Sequence, residues 1–250
     1  MGSKRFWTEG LGSFIIAIAI ALFIRWAFME AYVIPSGSML PSLLIRDHIF
    51  VNKVVYGVRV PFTERWMFRW GEPQHGEVVV FKYPQDLSQF YIKRVVALGG
   101  DRVFYENGNL YVNDQLIERR VPQEVVDDFA WLRNEDFPGE ESLGGLANYV
   151  HWQENLGDHS YSTLLRRGDP VNLAFGPFTV PPGHFFVLGD NRDNSQDSRA
   201  WDEDKRFVPR DYLVGRAMFV WLSCEKTLPV VTFLCHPLHL RWRRFFHSIH

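Results

Sequence analysis

Cysteine is scarce in this sequence, with only Cys224 and Cys235 among 250 residues. The two lie 11 positions apart, and neither belongs to a CxxC pair or to a cysteine–histidine cluster with ligand spacing. Zinc modules need such clusters, so the sequence argues against a zinc site. A disulfide is compatible with the pair if this part of the chain lies outside the cytoplasm, and two free thiols fit the sequence equally well.

The sequence also lacks an excess of either charge. Lys and Arg total 27 against 29 Asp and Glu, which leaves a net charge of −2. Because this balance gives no general attraction to a polyanion, we expect no nucleic-acid partner. Hydrophobic residues make up 46% and charged residues 22%, as in globular rather than disordered chains.

The motifs of histidine-dependent hydrolases are missing as well. There is no G-x-S-x-G segment, and the nine histidines form no recognisable pattern. A Ser–His–Asp triad can be scattered along a sequence, but no residue pattern here indicates one. A serine enzyme built on this chain would therefore need a different base.

The longest uncharged stretch is residues 10–24, "GLGSFIIAIAIALFI", and "WAFM" continues it beyond Arg25. Fifteen residues are fewer than the roughly 20 that a spanning helix needs. If Arg25 snorkels to the interface, however, a span of 10–29 results. The basic pair "KR" before it predicts that residues 1–9 stay in the cytoplasm. The alternative is a cleavable signal peptide ending at "AFMEA", and either interpretation sends the chain from residue 31 across the membrane.

Beyond this segment the pattern is that of β-strands. Asn107-Gly108 between alternating residues predicts a two-residue hairpin turn. Residues 118–175 carry charge clusters and little periodicity, which favours a more solvated insertion. We predict a mainly β fold with an antiparallel core, interrupted by this insertion and tethered by one helix. The predicted strand-forming stretches are 48–60, 76–84, 90–103, 103–117, 178–190 and 212–222.

The C-terminal residues 223–250 combine an apolar stretch, "TLPVVTFLCHPLHL", with the basic and aromatic "RWRRFFHSIH". One interpretation is an edge segment with a frayed end. The other is a segment at the membrane interface, with arginines at lipid phosphates and aromatic rings in the headgroup layer. The residues concerned are Arg241, Arg243, Arg244, Trp242, Phe245 and Phe246.

A serine and a lysine stand out as a potential nucleophile and base. "IPSGSML" (34–40) holds two serines on either side of a glycine, and a serine hydroxyl attacks only after a base takes its proton. In "YIKRVV", strand alternation puts Tyr91, Lys93 and Val95 on one face. If its apolar neighbours bury Lys93, its pKa falls and the neutral amine can act as a base. A lysine that reaches solvent is the alternative.

The segment "GDNRDNSQDSR" (189–199) has no aliphatic side chain and cannot form a strand core. It suggests either a polar network beside a site, with Asp197 paired to Arg199 and Asp190 to a second arginine, or a calcium loop. The calcium motif is matched poorly, because its glycine and its final glutamate are absent. The oxygen ligands of such a loop would be Asp193, Ser195 and Asp197.

Taken in order, four segments resemble the signature segments of type I signal peptidases: "PSGSMLPSL" (35–43), "GEVVVFKYP" (76–84), "YIKRVVALGGD" (91–101) and "GDNRDNSQDSR" (189–199). The resemblance covers about residues 31–110 and 178–222. It implies a catalytic β core of 31–105 and 177–222 and a smaller inserted β-containing domain at 106–176.

The same resemblance implies a serine endopeptidase that removes signal peptides from exported preproteins. Such an enzyme cuts after small residues at positions −3 and −1 and uses neither metal nor cofactor. It would be anchored once in the cytoplasmic membrane, with the catalytic domain on the outer face. Its partners would be preproteins and the lipid bilayer.

Individual roles follow residue by residue from the resemblance. Ser38 matches the nucleophile and Lys93 the general base, while the Ser36 hydroxyl and the Ser38 N–H match the oxyanion hole. Ser195 matches a serine that orients the lysine amine. Two supporting ion pairs match Asp197 with Arg199 and Asp190 with Arg94. Ile34 and Ile92 match residues of the substrate pockets, and Met39 would help to keep Lys93 dry.

Two other functions remain open at this point. A membrane-anchored β-rich binding module would use the 189–199 loop to hold calcium. A self-cleaving regulator with a Ser–Lys pair would usually carry a DNA-binding domain, and none is visible in the sequence.

Overall fold

The structure is a computed structural model that describes residues 12–18, 20, 28–60, 63, 65–122, 127–137, 145–168, 174–229, 231 and 234–250. Residues 12–18 are helical, one α-helical turn covers Asp127–Ala130, and the remaining described helices are single 3-10 turns. These turns are Gly37–Met39, Asn134–Asp136, Gly145–Asn148, Arg192–Asn194, Glu203–Lys205, Arg210–Tyr212, Pro237–His239 and Trp242–Arg244.

Strands dominate the described part of the chain and confirm the mainly β prediction. They are β1 Met29–Val33, β2 Asp47–Asn52, β3 Gly57–Arg59, β4 Trp66–Arg69, β5 Val78–Tyr83, β6 Asp86–Leu98, β7 Arg102–Glu106, β8 Asn109–Val112, β9 Gln115–Leu116, β10 Arg119–Arg120, β11 Tyr149–Leu156, β12 His159–Arg166, β13 Ala174–Thr179, β14 His184–Leu188, β15 Val208–Pro209, β16 Leu213–Ser223 and β17 His247–Ser248.

The largest sheet has the order β1-β2-β16-β5-β6-β14-β15, with β17 added to β16, and its pairings are antiparallel. Smaller antiparallel sheets have the orders β13-β7-β8-β9, β10-β11-β12 and β3-β4. In the large sheet β6 lies between β5 and β14, so that Lys93 stands opposite Val79 and Arg94 opposite Leu188. The segment that follows β14 therefore begins beside the lysine strand.

The turn predicted at Asn107-Gly108 is confirmed. The two residues join β7 to β8 with φ angles of 52° and 81°, and Glu106 pairs with Asn109 across the turn. Asparagine and glycine are the residues that tolerate such a left-handed pair. The predicted strand-forming stretch at 48–60 contains two strands, β2 and β3. Between them, Asn52 Oδ1 accepts hydrogen bonds from the backbone N–H groups of Val54 and Val55, which competes with strand pairing.

The prediction of a solvated, aperiodic region at 118–175 is wrong for β11 and β12. These strands form an eight-pair hairpin that contains buried residues along its length. Leu156 and Tyr161 share one hydrophobic cluster with Val96 and Phe186 of the large sheet. The sequence hides this hairpin because several of its buried side chains are polar, which erases the apolar alternation.

The C-terminal segment is anchored by a buried ion pair. Arg244 Nη2 lies 2.6 Å from Asp47 Oδ2, and both side chains are almost completely inaccessible. The expectation that Arg244 contacts lipid is therefore wrong, and Arg241 is held by Asp136 and the Ile45 carbonyl. A buried guanidinium needs a paired carboxylate, and a lipid phosphate cannot reach it here. Arg243, Trp242 and Phe246 remain exposed.

The two cysteines form a disulfide in the structure, joining Cys224 at the end of β16 to Cys235. His48 Nε2 lies 3.5 Å from Cys235 Sγ. Among the described residues, His48, Cys224 and Cys235 are the group whose potential metal-ligand atoms lie close together. Both cysteine sulfurs of this group are taken up by the disulfide.

The predicted membrane segment 10–29 lies largely outside the described residues, which include only 12–18, 20, 28 and 29 of it. Within the described ranges no helix is long and apolar enough to cross a bilayer. The predicted span ends one residue too late, because Met29 already belongs to β1 and pairs with Asn52. The described side chains at 14–16, 18 and 20 are apolar and exposed.

Candidate active site

Ser38 lies in the tight turn Gly37–Met39, between β1 and β2. Asn191 fixes this turn with two hydrogen bonds. Its backbone N–H donates to the Ser38 carbonyl at 3.1 Å, and its Nδ2 donates to the Gly37 carbonyl at 3.1 Å. A Cβ on Gly37 would lie 3.0 Å from Leu40 Cδ1, so a larger residue would crowd the turn. The conformation at Ser38 is therefore set by a residue that is distant in sequence.

Lys93 reaches this serine from β6. Its Nζ donates a hydrogen bond to Ser38 Oγ at 2.5 Å, and the lysine is only 4% exposed. Burial lowers the pKa of Lys93 to about 8, against the opposing effect of the Asp197 and Asp190 carboxylates. A substantial fraction of the amine is thus neutral in mildly alkaline solution, and this is the form that accepts a proton.

Ser36 lies on the other side of Gly37. Its backbone is extended, with φ −137° and ψ 162°, and its hydroxyl is exposed. Ser36 Oγ donates a long hydrogen bond of 3.5 Å to Ser38 Oγ. Both hydroxyls therefore line the same opening as Lys93.

Two buried ion pairs surround the lysine. Asp197 accepts from Arg199 Nε at 2.9 Å and from Nη2 at 2.8 Å, and burial of this carboxylate is outweighed by Arg199, so that the pKa of Asp197 lies below its usual range. Asp190 accepts from Arg94 Nε at 2.8 Å and from Nη2 at 2.7 Å. These bidentate contacts hold two carboxylates close to the Lys93 amine.

Ser195 is close to this network without bonding to the lysine. Its Oγ is buried and has no hydrogen bond of ordinary geometry among the described residues. It lies near enough to Asp197 to help hold the pKa of that carboxyl below its usual range. Gly189 leaves room for it, because a Cβ there would approach Ser195 Oγ to 2.2 Å and the Ser38 carbonyl to 2.4 Å. The hydrogen bond expected from Ser195 to Lys93 is absent from this structure.

The serines and the lysine open into a cleft of about 580 Å³. Ile92 lines this cleft, as expected for a pocket residue. Ile34 and Met39 do not line it, and both are buried in one core cluster with Val78 and Val220. The other lining residues include Phe90, Tyr91, Asn194, Gln196 and Ala200.

The calcium-loop interpretation is not supported by these contacts. The Asp197 carboxylate is occupied by Arg199 and by the Gly189 N–H, and Asp193 Oδ2 accepts from the Arg166 N–H. Across the described residues, the 189–199 segment brings no three His, Cys, Asp or Glu side chains together. Its acidic side chains serve the protein's own polar network.

Sequence reasoning missed Asn191, although it lies inside a segment that had been singled out. It also missed the buried pair between Arg192 and Glu154, whose side chains are at most 2% exposed. Nothing local in the sequence marks Glu154, because its partner lies 38 positions away.

Comparison with known proteins now decides the family. The profile of "Signal peptidase, peptidase S26" matches residues 7–222 of this chain. The chain belongs to the signal peptidase I family. It is accordingly a serine endopeptidase, and family membership implies that it cleaves signal peptides from preproteins.

Individual relatives are similar over most of their length. Signal peptidase I of Pseudomonas aeruginosa is 39% identical over 223 residues, which cover 84% of this chain and 71% of the relative. Signal peptidase I of Pseudomonas fluorescens is 36% identical over 218 residues, with the same coverage. A crystal structure of a signal peptidase I from Enterococcus faecalis V583 is 24% identical, with a TM-score of 0.31, and covers 58% of this chain and 97% of that one. Bacterial signal peptidases I are usually found in the membrane.

Proposed function

We propose that this chain cleaves preproteins with Ser38 as nucleophile and Lys93 as general base. The observation that carries the proposal is the 2.5 Å contact between Lys93 Nζ and Ser38 Oγ, combined with burial that lowers the pKa of the amine to about 8. A neutral lysine amine at this distance can take the serine proton as the hydroxyl oxygen attacks.

The reaction then runs through an acyl-enzyme. Ser38 Oγ attacks the scissile carbonyl, its proton passes to Lys93 Nζ, and the tetrahedral intermediate carries an oxyanion. The Ser36 hydroxyl and the Ser38 N–H donate to that oxygen, and loss of one such donor typically costs about 2.7–4 kcal/mol. The Lys93 ammonium next protonates the leaving amine. Once neutral again, Lys93 takes a proton from the water that attacks the ester and returns it to Ser38 Oγ as the bond between that oxygen and the acyl group breaks.

The surroundings of the dyad support this assignment. Asp197 with Arg199 and Asp190 with Arg94 form ion pairs that carry no net charge. They therefore lie near Lys93 without adding an uncompensated charge to its surroundings. Ser195 lines the same cleft as Lys93, and we assign it the role of orienting the amine. We assign the cleft beside Ile92 to small side chains at positions −1 and −3 of the substrate.

We further propose that residues 10–28 anchor the enzyme in the cytoplasmic membrane, one residue fewer than the predicted span because Met29 belongs to β1. The catalytic β core of 31–105 and 177–222, with the inserted domain 106–176, then lies on the outer face. Lys53 N–H donates to the Phe28 carbonyl at 3.0 Å, so the chain enters the large sheet directly after the apolar segment. Ser38 follows this segment with only β1 and a short loop between them, which places it near the point where a signal peptide leaves the bilayer.

The test is cleavage of a model preprotein in detergent micelles by the native chain, by Ser38→Ala and by Lys93→Met. We expect cleavage after a small residue by the native chain and a loss of at least about 10³-fold in both variants. Circular dichroism and sedimentation with membranes verify that the variants stay folded and membrane-bound. Cleavage that survives Lys93→Met in folded protein would place the base elsewhere.

A further inference from the structure

Glu154 is a completely buried carboxylate on β11, outside the proposed dyad. Its oxygens accept from Arg192 Nη1 at 2.7 Å and from Arg192 Nη2 at 2.6 Å. Tyr161 Oη and Thr163 Oγ1 of β12 donate to the same carboxylate at 3.2 and 3.3 Å. The carboxylate therefore meets four donors, and the strongest link is a bidentate ion pair.

The partner of Glu154 lies in the loop that holds the nucleophile. Arg192 follows Asn191, whose two donors fix the carbonyls of Gly37 and Ser38. The Arg192 carbonyl in turn accepts from Arg199 Nη2 at 2.5 Å. The Arg192 side chain is completely inaccessible to solvent, so its charge depends on Glu154 for compensation.

Backbone contacts tie the same hairpin to the loop at two further points. The Leu164 N–H of β12 donates to the Asp190 carbonyl at 2.9 Å, and the Arg166 N–H donates to Asp193 Oδ2 at 2.8 Å. The Tyr161 ring also packs against the Arg94 guanidinium at 3.9 Å. The β11–β12 hairpin thus holds residues 190–193 along their length, and Glu154 supplies the charge that this contact needs.

We propose that Glu154 is a positioning residue for the cleavage reaction, acting through Arg192 and Asn191 on the turn that carries Ser38. Through this one ion pair the inserted hairpin helps to set the direction of the Ser38 hydroxyl and N–H. This inference rests on the proposed function, since it takes Ser38 as the nucleophile. It predicts that loss of Glu154 slows the chemical step more than it weakens substrate binding.

The experiment compares Glu154→Gln with Glu118→Gln, which removes the same charge from an exposed position of the insertion. We expect Glu154→Gln to lower kcat about 10- to 100-fold while KM changes by less than about twofold, since a small misplacement of reacting groups costs rates of this size. Glu154→Asp keeps the charge and should restore a large part of kcat. Glu118→Gln should behave like the native chain.

A second comparison separates positioning from general destabilisation. Asn191→Ala removes the side-chain hydrogen bond to the Gly37 carbonyl and keeps the backbone hydrogen bond to the Ser38 carbonyl. Because both substitutions act on the same turn, adding Glu154→Gln to Asn191→Ala should lower kcat by less than Glu154→Gln does in the native chain. Leu156→Ala weakens the packing of the same hairpin without touching Arg192 and should leave kcat near native below its melting temperature. Additive effects of Glu154→Gln and Asn191→Ala would overturn the inference.

If Glu154→Gln does not fold, the pair variant Glu154→Leu with Arg192→Met decides the matter, because replacing both partners leaves no buried charge. We expect it to fold and to show the same loss of kcat, and a native kcat would overturn the inference. Cleavage that persists in Ser38→Ala would instead reject the proposed function. Inactive dyad variants together with a native kcat for folded Glu154→Gln would reject only the role of Glu154.

Discussion

Lys93 has the environment that a lysine base requires. Its amine is removed from water on β6, which disfavours the ammonium form, while Asp197 and Asp190 partly stabilise that form. Because both carboxylates are themselves neutralised by arginines, burial remains the larger effect. The result is an amine whose pKa of about 8 is close to the pH at which a base must work.

The pH dependence of cleavage tests this residue directly. The neutral amine is the active form, so kcat/KM should rise with pH through about 8 and level off above it. The measurement is the initial rate on a model preprotein between pH 6 and 10, with circular dichroism at each pH to verify the fold. A flat or falling profile between neutral and mildly alkaline pH, in folded protein, would contradict the role of Lys93.

At the residue scale, sequence reasoning could identify the serine and lysine but not what holds them. Strand alternation pointed to Lys93, because Tyr91 and Val95 lie two positions away and share its strand face. The segment resemblance pointed to the same residue. Asn191 and Glu154 were not predicted to act on the Ser38 turn. Their partners are 154 and 38 positions away, and only the tertiary structure brings such residues together.

At the scale of elements, the C-terminal segment is part of the core sheet. β17 pairs with β16, and Arg244 reaches back to Asp47 at the start of β2. Asp47 also accepts from Ser223 Oγ at 2.6 Å and from the Leu44 N–H at 2.8 Å. The segment therefore closes a polar network beneath the loop that joins the Ser38 turn to β2.

Neighbouring arginines provide a matched test of this network. Arg244→Met leaves Asp47 buried without its cation and should lower the free energy of unfolding by about 3–5 kcal/mol. Arg243→Met alters an exposed side chain and should change it by less than about 0.5 kcal/mol. Urea unfolding in micelles measures both. Equal effects of the two substitutions would mean that the Arg244–Asp47 pair does not stabilise the fold.

Most strands could be predicted from the sequence, and the exceptions have physical causes. β5, β7, β8 and β16 follow apolar or alternating runs, and their positions agree with the prediction. β11 and β12 do not, because Glu154, Ser162 and Thr163 are buried polar residues. Glu154 accepts hydrogen bonds from Thr163 and Arg192. A pattern of apolar residues cannot reveal a strand whose interior is polar.

At the scale of the whole molecule, two groups of exposed apolar side chains are candidates for the membrane contact that we propose. The exposed apolar side chains of the N-terminal helical residues and the exposed aromatic rings of the C-terminal segment are the two candidate contacts. Ile16 and Ile18 are 42% and 58% exposed, and Trp242 and Phe246 are 67% and 77% exposed. The proposed anchor assigns retention to the first group.

Polar substitutions in each region separate these candidates. Ile16→Asp with Ile18→Asp should release the chain from membranes, since each aspartate in a span costs about 2.5–3.5 kcal/mol. Trp242→Ser with Phe246→Ser should leave the chain in the membrane fraction. Alkaline carbonate extraction followed by immunoblotting measures both, and cleavage in micelles verifies that the variants fold. If only Trp242→Ser with Phe246→Ser released the chain, the C-terminal segment and not the N-terminal one would be the membrane anchor.

The sequence by itself determined the mainly β class and the hairpin turn at Asn107-Gly108. It also determined the order of the segments, two of which contain Ser38 and Lys93, that indicate the family. These depend on local chemistry: the strand period, the conformations open to asparagine and glycine, and residue identity within short segments. Only the tertiary structure decided that the cysteines pair, that Arg244 is buried, that Ser195 makes no hydrogen bond to Lys93 and that Glu154 pairs with Arg192. The physical reason is that buried polar groups choose partners by distance in space, which the order of residues along the chain does not specify.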